Sequence, residues 1–365
     1  MQEDVDADFL LEDPKNSTVL FEFAEALFAD GKVKESIPLY KRLCDFEQVS
    51  LSDNSSIGHY RIFEASLGNG SEEDWKAVNQ FAPFIKHLPD NYQLDALLKV
   101  ARTCLTLQKW DEVGQYADDL RAHTVFVYSM LTGAGGTKEK LILKFPLVVY
   151  YGQSYLLKGA ALRRLGKYED AKLCVQGYAD LSWFEMLDDY GLKEVEKFRV
   201  FAKGNLYTLN LYLGNGQFLD DFFNFIALLE SRADLLAGLL TAVEAANMHR
   251  YNVDYILEKY SGEIEFYKTS TNQIWRSQYY HFVYQRAIYR CNNGMIKEGI
   301  DDALNCLSYA TFTMHDLDFK KCSILYWNYR NHVSKEQEER FSTIIGGIND
   351  DEKIFVGPSC NNGIV

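Results

Sequence analysis

The sequence predicts an all-α fold, a right-handed α-solenoid of degenerate helical hairpins, and two observations carry that reading. The first is a four-point signature: a small residue, a Gly-type turn seven positions later, a packing residue two beyond it, and a second small residue three further on. It reads Ala24, Gly31, Val33, Ser36, then Ala101, Gln108, Trp110, Val113, then Gly159, Gly166, Tyr168, Ala171, and finally Ala287, Gly294, Ile296, Gly299. In a helix-turn-helix repeat the first small residue lets two helices sit close and the glycine ends the first in a left-handed cap. The second small residue then receives that first helix. The second observation is composition, because 47% apolar residues with only six prolines in 365 can bury a continuous core. A solenoid grows by adding repeats, so the length predicts one elongated unit over residues 14–346. An acidic tail at 1–13 would precede it and a flexible tail at 347–365 would follow.

The elements follow in order. Val19 to Cys44 form the first hairpin, with Phe21, Ala24, Leu27 and Phe28 as an apolar stripe before Gly31 and with Pro38 near the start of the second helix. The polar stretch Val49 to Ser56 is expected to be a loop. A looser second hairpin has Tyr60 to Leu67 before Gly68 and Glu72 to Ile85 after it, and Ser71 with Asp74 resembles a capping box. The third hairpin, Leu94 to Leu120, continues helically to about Met130, where Gly133, Gly135 and Gly136 open a flexible loop. The fourth, Leu147 to Asp180, carries the best match, LLKGAALRRLGKYEDAK. A fifth runs from about Lys193 to Leu229 with Gly214 and Gly216 at its turn. Leu235 to Asn247 with Val253 to Tyr260 form a sixth, Gln278 to Ala310 a seventh, and Phe319 to Gly346 close the array. Signatures start 77, 58 and 128 residues apart, so the repeats are degenerate.

Charge and chemistry narrow the function. A net charge of −14 repels phosphate backbones, so direct DNA or RNA binding by these residues is not expected. Met1 to Asp13 is acidic and lacks the basic and apolar regions of a signal peptide, and no stretch reaches the ~20 apolar residues of a membrane span. Seven widely spread cysteines without a Cys-x-x-Cys pair predict a reduced, cytoplasmic chain. No His-Glu-x-x-His or Gly-x-Ser-x-Gly occurs, and Gly133 to Lys138 lacks phosphate-loop spacing, so the reading is not an enzyme, with no metal and no cofactor. Helical hairpin arrays are binding surfaces far more often than catalysts.

The surface expected to bind is the concave face. Aromatic residues make up 14% of the chain, and its 24 tyrosines cluster at Tyr150, Tyr151 and Tyr155, at Tyr207 and Tyr212, and at Tyr279, Tyr280, Tyr284 and Tyr289. Tyrosine offers rigid apolar area plus a hydroxyl, which suits a groove for an extended peptide, while inter-helix packing is the plainer use of any one of them. In repeat geometry the first helix of each hairpin lines the groove, with inward positions one and four residues after the anchoring small residue and three and six before it. These positions give Arg102 in the third hairpin, Gln153 and Arg163 in the fourth, and His281 and Tyr284 in the seventh. Arg, Gln and Tyr in an acidic molecule suit clamping of a peptide backbone and its terminal carboxylate.

Four stretches also carry a family resemblance. They are NSTVLFEFAEALFADGKVKESIPLYKRLC, HLPDNYQLDALLKVARTCLTLQKWDEVGQYADDL, VVYYGQSYLLKGAALRRLGKYEDAKLCVQGYADLSWFEMLDDYGLKEVEKFRVFAKGNLYTLNLYLGN and LLTAVEAANMHRYNVDYILEKYSGEI. Together, over roughly residues 14 to 345, they resemble the C-terminal part of helix-turn-helix transcriptional regulators of Bacillus-type bacteria. In that family a Cro/CI-like DNA-binding domain precedes a tetratricopeptide array, the layout of the peptide-responsive PlcR and NprR group among the RRNPP regulators. The resemblance implies a sensor and dimerisation module that takes a short signalling peptide and forms a homodimer. The family's DNA-binding domain would stand before Met1, and the chain opens in what resembles the acidic linker after it. A stand-alone array would instead resemble the Rap proteins, which act by binding a protein partner.

Overall fold

The computed structural model describes residues 16–46, 52–133, 141–312 and 316–351, and all of the regular structure among them is helical. In chain order the α-helices are α1 Ser17–Ala29, α2 Val33–Phe46, α3 Asp53–Ser66, α4 Ser71–Phe81, α5 Asp90–Thr106, α6 Trp110–Thr132, α7 Leu147–Arg164, α8 Tyr168–Gln176 and α9 Asp189–Tyr212. Then come α10 Leu219–Leu228, α11 Arg232–His249, α12 Asp254–Lys259, α13 Ser261–Thr269, α14 Gln273–Asn292, α15 Ile296–Phe312, α16 Asp316–Asn328 and α17 Lys335–Asp351. The expected acidic tail and the glycine loop after Gly133 lie outside the described residues. So does the C-terminal tail, except that helix α17 continues through residues 347–351.

The chain divides into two compact units, Met1–Leu209 and Asn210–Val365. In the first, α1 packs on α2, α2 on α3, and α5 through α8 each on the next. In the second, α11 packs on α14, α14 on α15, and α15 on both α16 and α17.

The four signatures form the turns that their spacing requires. Gly31, Gln108, Gly166 and Gly294 have φ of +78°, +57°, +73° and +84°. At each turn the next amide reaches back five residues: Lys32 N–H donates to Leu27 O, Lys109 to Cys104, Lys167 to Leu162 and Met295 to Arg290, all at 2.9 Å. This is the double-bonded left-handed cap that satisfies the last helical carbonyls. Gly214 repeats it at φ +94°, with Asn215 N–H on Asn210 O at 3.0 Å, although Tyr207 and Leu219 stand where small residues would be expected. The small residues Ala24, Ser36, Ala101, Ala171 and Ala287 are fully buried. Gly166→Val should lower stability by ~1–2 kcal/mol, because a β-branched side chain is strained at positive φ. Urea unfolding will measure it, and an unchanged midpoint would mean that this turn does not constrain the hairpin.

Three local expectations are corrected. The polar stretch before Ser56 is not wholly loop, because α3 starts at Asp53, where the Ser52 side chain accepts from Ser55 N–H at 3.2 Å. Ser55 and Ser56 at this helix start are polar yet buried, and Gly58 just after them lies close against Cys44, Leu43 and Tyr40 of α2, so small residues there serve close packing. The capping box at Ser71 does not form, since Gly70 at φ 124° is the cap and Asp74 accepts from Gly68 N–H instead, at 2.8 Å. After α4, Pro83 begins a 3-10 turn over Ala82–His87, which breaks the arm expected to reach Ile85.

Candidate functional site

The inward register of each first helix gathers charged groups in the first unit. Glu25 follows Ala24 by one position and Phe28 by four, and both meet Arg61 of α3. The Arg61 guanidinium donates to both oxygens of Glu25 at 2.9 and 3.0 Å and to Glu64 at 3.0 Å, and it sits 4.4 Å over the Phe28 ring. The Tyr40 hydroxyl donates to the same Glu25 carboxylate at 2.5 Å. Burial pushes Glu25 up, but the hydrogen bonds from Arg61 and Tyr40 outweigh it and hold the carboxyl below its ordinary value. Six positions before Ala101, Asp95 accepts from the Tyr150 hydroxyl of α7, and burial raises its pKa. These pairs tie α1, α2 and α3 together, and α5 to α7, through half-buried polar contacts.

The residues singled out by register fall in different places. Arg102 is exposed on α5, within electrostatic reach of Tyr150. Gln153 is half-buried on α7 and lines none of the cavities described below. Arg163 lines a cavity of about 60 Å³ with Leu156 and Ala160, which also occupy inward positions, and with Tyr178, whose hydroxyl accepts from Asn205 Nδ2 at 2.8 Å. His281 and Tyr284 come together in the second unit. They line a cavity of about 50 Å³ between α14, α15 and α16, with Tyr280, Tyr309, Asp318 and Lys321 around it. Tyr280 and Tyr309 stack at 3.8 Å, and the Arg276 guanidinium lies 5.5 Å over Tyr309. This wall therefore offers π faces, an imidazole and both signs of charge.

A roomier cavity escaped the sequence reading. It measures about 240 Å³ and lies between α3 and α4, where His59 stacks on Phe84 at 3.5 Å and Phe63 stacks on Phe81 at 4.8 Å. Burial lowers the pKa of His59, so its imidazole is neutral at neutral pH. The second hairpin lacks the signature, so register could not reach it.

Many other tyrosines serve packing. Tyr212 donates to Glu244 and Tyr289 to Asp254, Tyr267 donates to the Arg232 carbonyl, and Tyr255 donates to Asp220. Each hydroxyl bonds a residue more than thirty positions away in sequence.

Among the described residues, no group of three or more His, Cys, Asp and Glu could jointly hold a metal ion. None of their helices is long and apolar enough to cross a membrane. No protein-family model matches the chain, and no curated protein compared with it matches either.

Proposed function

We propose that this chain is the peptide-sensing and dimerisation module of a cytoplasmic, quorum-sensing-type transcriptional regulator, built as a tetratricopeptide-like solenoid that takes a short signalling peptide in its groove. The observation that carries this reading is the cavity that joins His281 and Tyr284, two residues selected by repeat register alone, to stacked tyrosines and a Lys–Asp pair. At about 50 Å³ the cavity admits a few waters or the tip of one side chain. A peptide would therefore lie across this face and anchor through a single residue, with its backbone and termini held by the surrounding hydroxyls and charges. Ligand contacts that favour one arrangement of the helices would pass free energy to an attached domain or a second subunit.

Calorimetric titration with short peptides encoded beside the gene, with light scattering alongside, tests the reading. Micromolar or tighter binding with a change in oligomeric state is the expected result. Tyr284→Ala and His281→Ala should each weaken that affinity by about 1–3 kcal/mol while the circular dichroism spectrum stays helical. Unchanged affinity in both variants would remove these residues from the site, and no peptide binding at all would overturn the sensor reading.

A further inference from the structure

Two sulfurs form part of the wall of the tyrosine cavity. Cys306 of α15 and Cys322 of α16 are 4% and 2% exposed, and both line it. Cys306 donates its S–H to the Tyr280 carbonyl at 3.4 Å, and the side chains of the two cysteines are themselves in hydrogen-bond contact. The helices that carry them pack directly on one another. A buried cysteine by itself is a small apolar residue with little reactivity. Two thiols in contact beside a solvent-sized cavity have a further chemistry, because the cavity admits a small oxidant and either sulfur lies within reach of an oxidised partner.

We propose that Cys306 and Cys322 are an oxidative modification site, at which hydrogen peroxide entering the cavity converts the pair to a disulfide between α15 and α16. In the first step one sulfur, as its thiolate, attacks a peroxide oxygen. The O–O bond breaks and leaves a sulfenic acid, with the expelled hydroxide taking up a proton as water. In the second step the other sulfur attacks the sulfenic sulfur. The S–S bond forms, the S–O bond breaks, and the departing hydroxide takes the remaining thiol proton as a second water. The two thiols lose two electrons, and one peroxide is reduced to two waters. Burial holds Cys306 well above the ordinary thiol value, so its thiol rests protonated and attack by Cys306 on peroxide is slow. Forming the ~2.05 Å bond requires the two sulfurs to close from hydrogen-bond contact, which draws α15 and α16 together at this point. This site goes beyond the peptide reading and stands without it.

The test is to treat the full chain with hydrogen peroxide, block the remaining thiols with iodoacetamide, and map the cysteine peptides by mass spectrometry. The expected result is a folded chain lighter by two hydrogens, with one linked peptide pair carrying Cys306 and Cys322 that separates on addition of dithiothreitol. Cys306→Ser and Cys322→Ser should each abolish that link. Full alkylation of both cysteines after peroxide, their separate oxidation to sulfinic acids, or a link made through another cysteine would overturn the proposal. If either serine variant does not fold, the map of the unaltered chain still decides.

Discussion

Gly299→Val should destabilise the second unit by about 3 kcal/mol, at the upper end of what overpacking a helix contact costs. Gly299 is the last point of the fourth signature, in the seventh hairpin, on α15 where it meets α14. A Cβ there would come 2.4 Å from Cys291 Sγ, 3.0 Å from the Ala287 carbonyl and 3.1 Å from the Cys291 amide nitrogen. The sulfur can rotate away; the two backbone atoms belong to the hydrogen-bonded ladder of α14 and can move only if the helices part. Valine adds two further methyl groups in the same gap. Gly299→Ala should show roughly half the effect. Gly346→Ala is the control, because nothing lies within 4 Å of its added Cβ, and a helical Gly→Ala there should gain ~0.5–1 kcal/mol. Urea unfolding followed by circular dichroism measures all three. Equal midpoints for Gly299→Val and Gly346→Ala would show that close approach of α14 and α15 does not support the fold.

Such contacts were legible where backbone geometry dictates residue type. A left-handed turn followed by a close approach demands glycine and then a small residue, so Gly31, Gly166 and Gly294 mark their turns directly. Gln108 could be placed only by its register between Ala101 and Val113, since glutamine carries no local signal for φ near +57°. Polarity misled at Ser52 to Ser56, where hydroxyls suggested a loop while one of them caps α3 and its neighbours pack against α2. Arg61 was out of reach because its hairpin lacks the signature, although the inward rule applied to the first hairpin points to its partners Glu25 and Phe28. The tyrosines show the limit most clearly. Composition counts hydroxyls, but whether Tyr150 faces a groove or bonds Asp95, 55 residues away, depends on which helices become neighbours. His281 and Tyr284 share a cavity because they are three residues apart on α14, a local relation that sequence spacing does convey.

Asp302→Ala should cost about 3–5 kcal/mol, because it leaves a buried guanidinium without a partner. Arg286 donates to both carboxylate oxygens of Asp302 at 2.9 and 2.8 Å, and Arg290 adds a third bond at 2.8 Å. The Asp302 side chain is 4% exposed and that of Arg286 11%, so neither charge can recover its hydration in place. Burial alone would lower the Arg286 pKa, but the hydrogen bonds that it donates to Asp302 outweigh this and raise the value; a guanidinium is not deprotonated in proteins, so the arginine keeps its charge when the aspartate is removed. The large loss measures an orphaned charge and not the worth of the pair. Removing both partners distinguishes the two: Arg286→Met with Asp302→Leu should restore most of the stability, since apolar groups of similar volume avoid the desolvation penalty. A double-mutant cycle in urea gives the coupling. If Asp302→Ala alone costs less than about 1 kcal/mol, water reaches the guanidinium and the site is not sealed. The same cycle reports on register, because Arg286 stands one residue before Ala287 and Asp302 three after Gly299. The ion pair closes over the small-residue contact that sets the spacing of α14 and α15, and losing either should loosen the other.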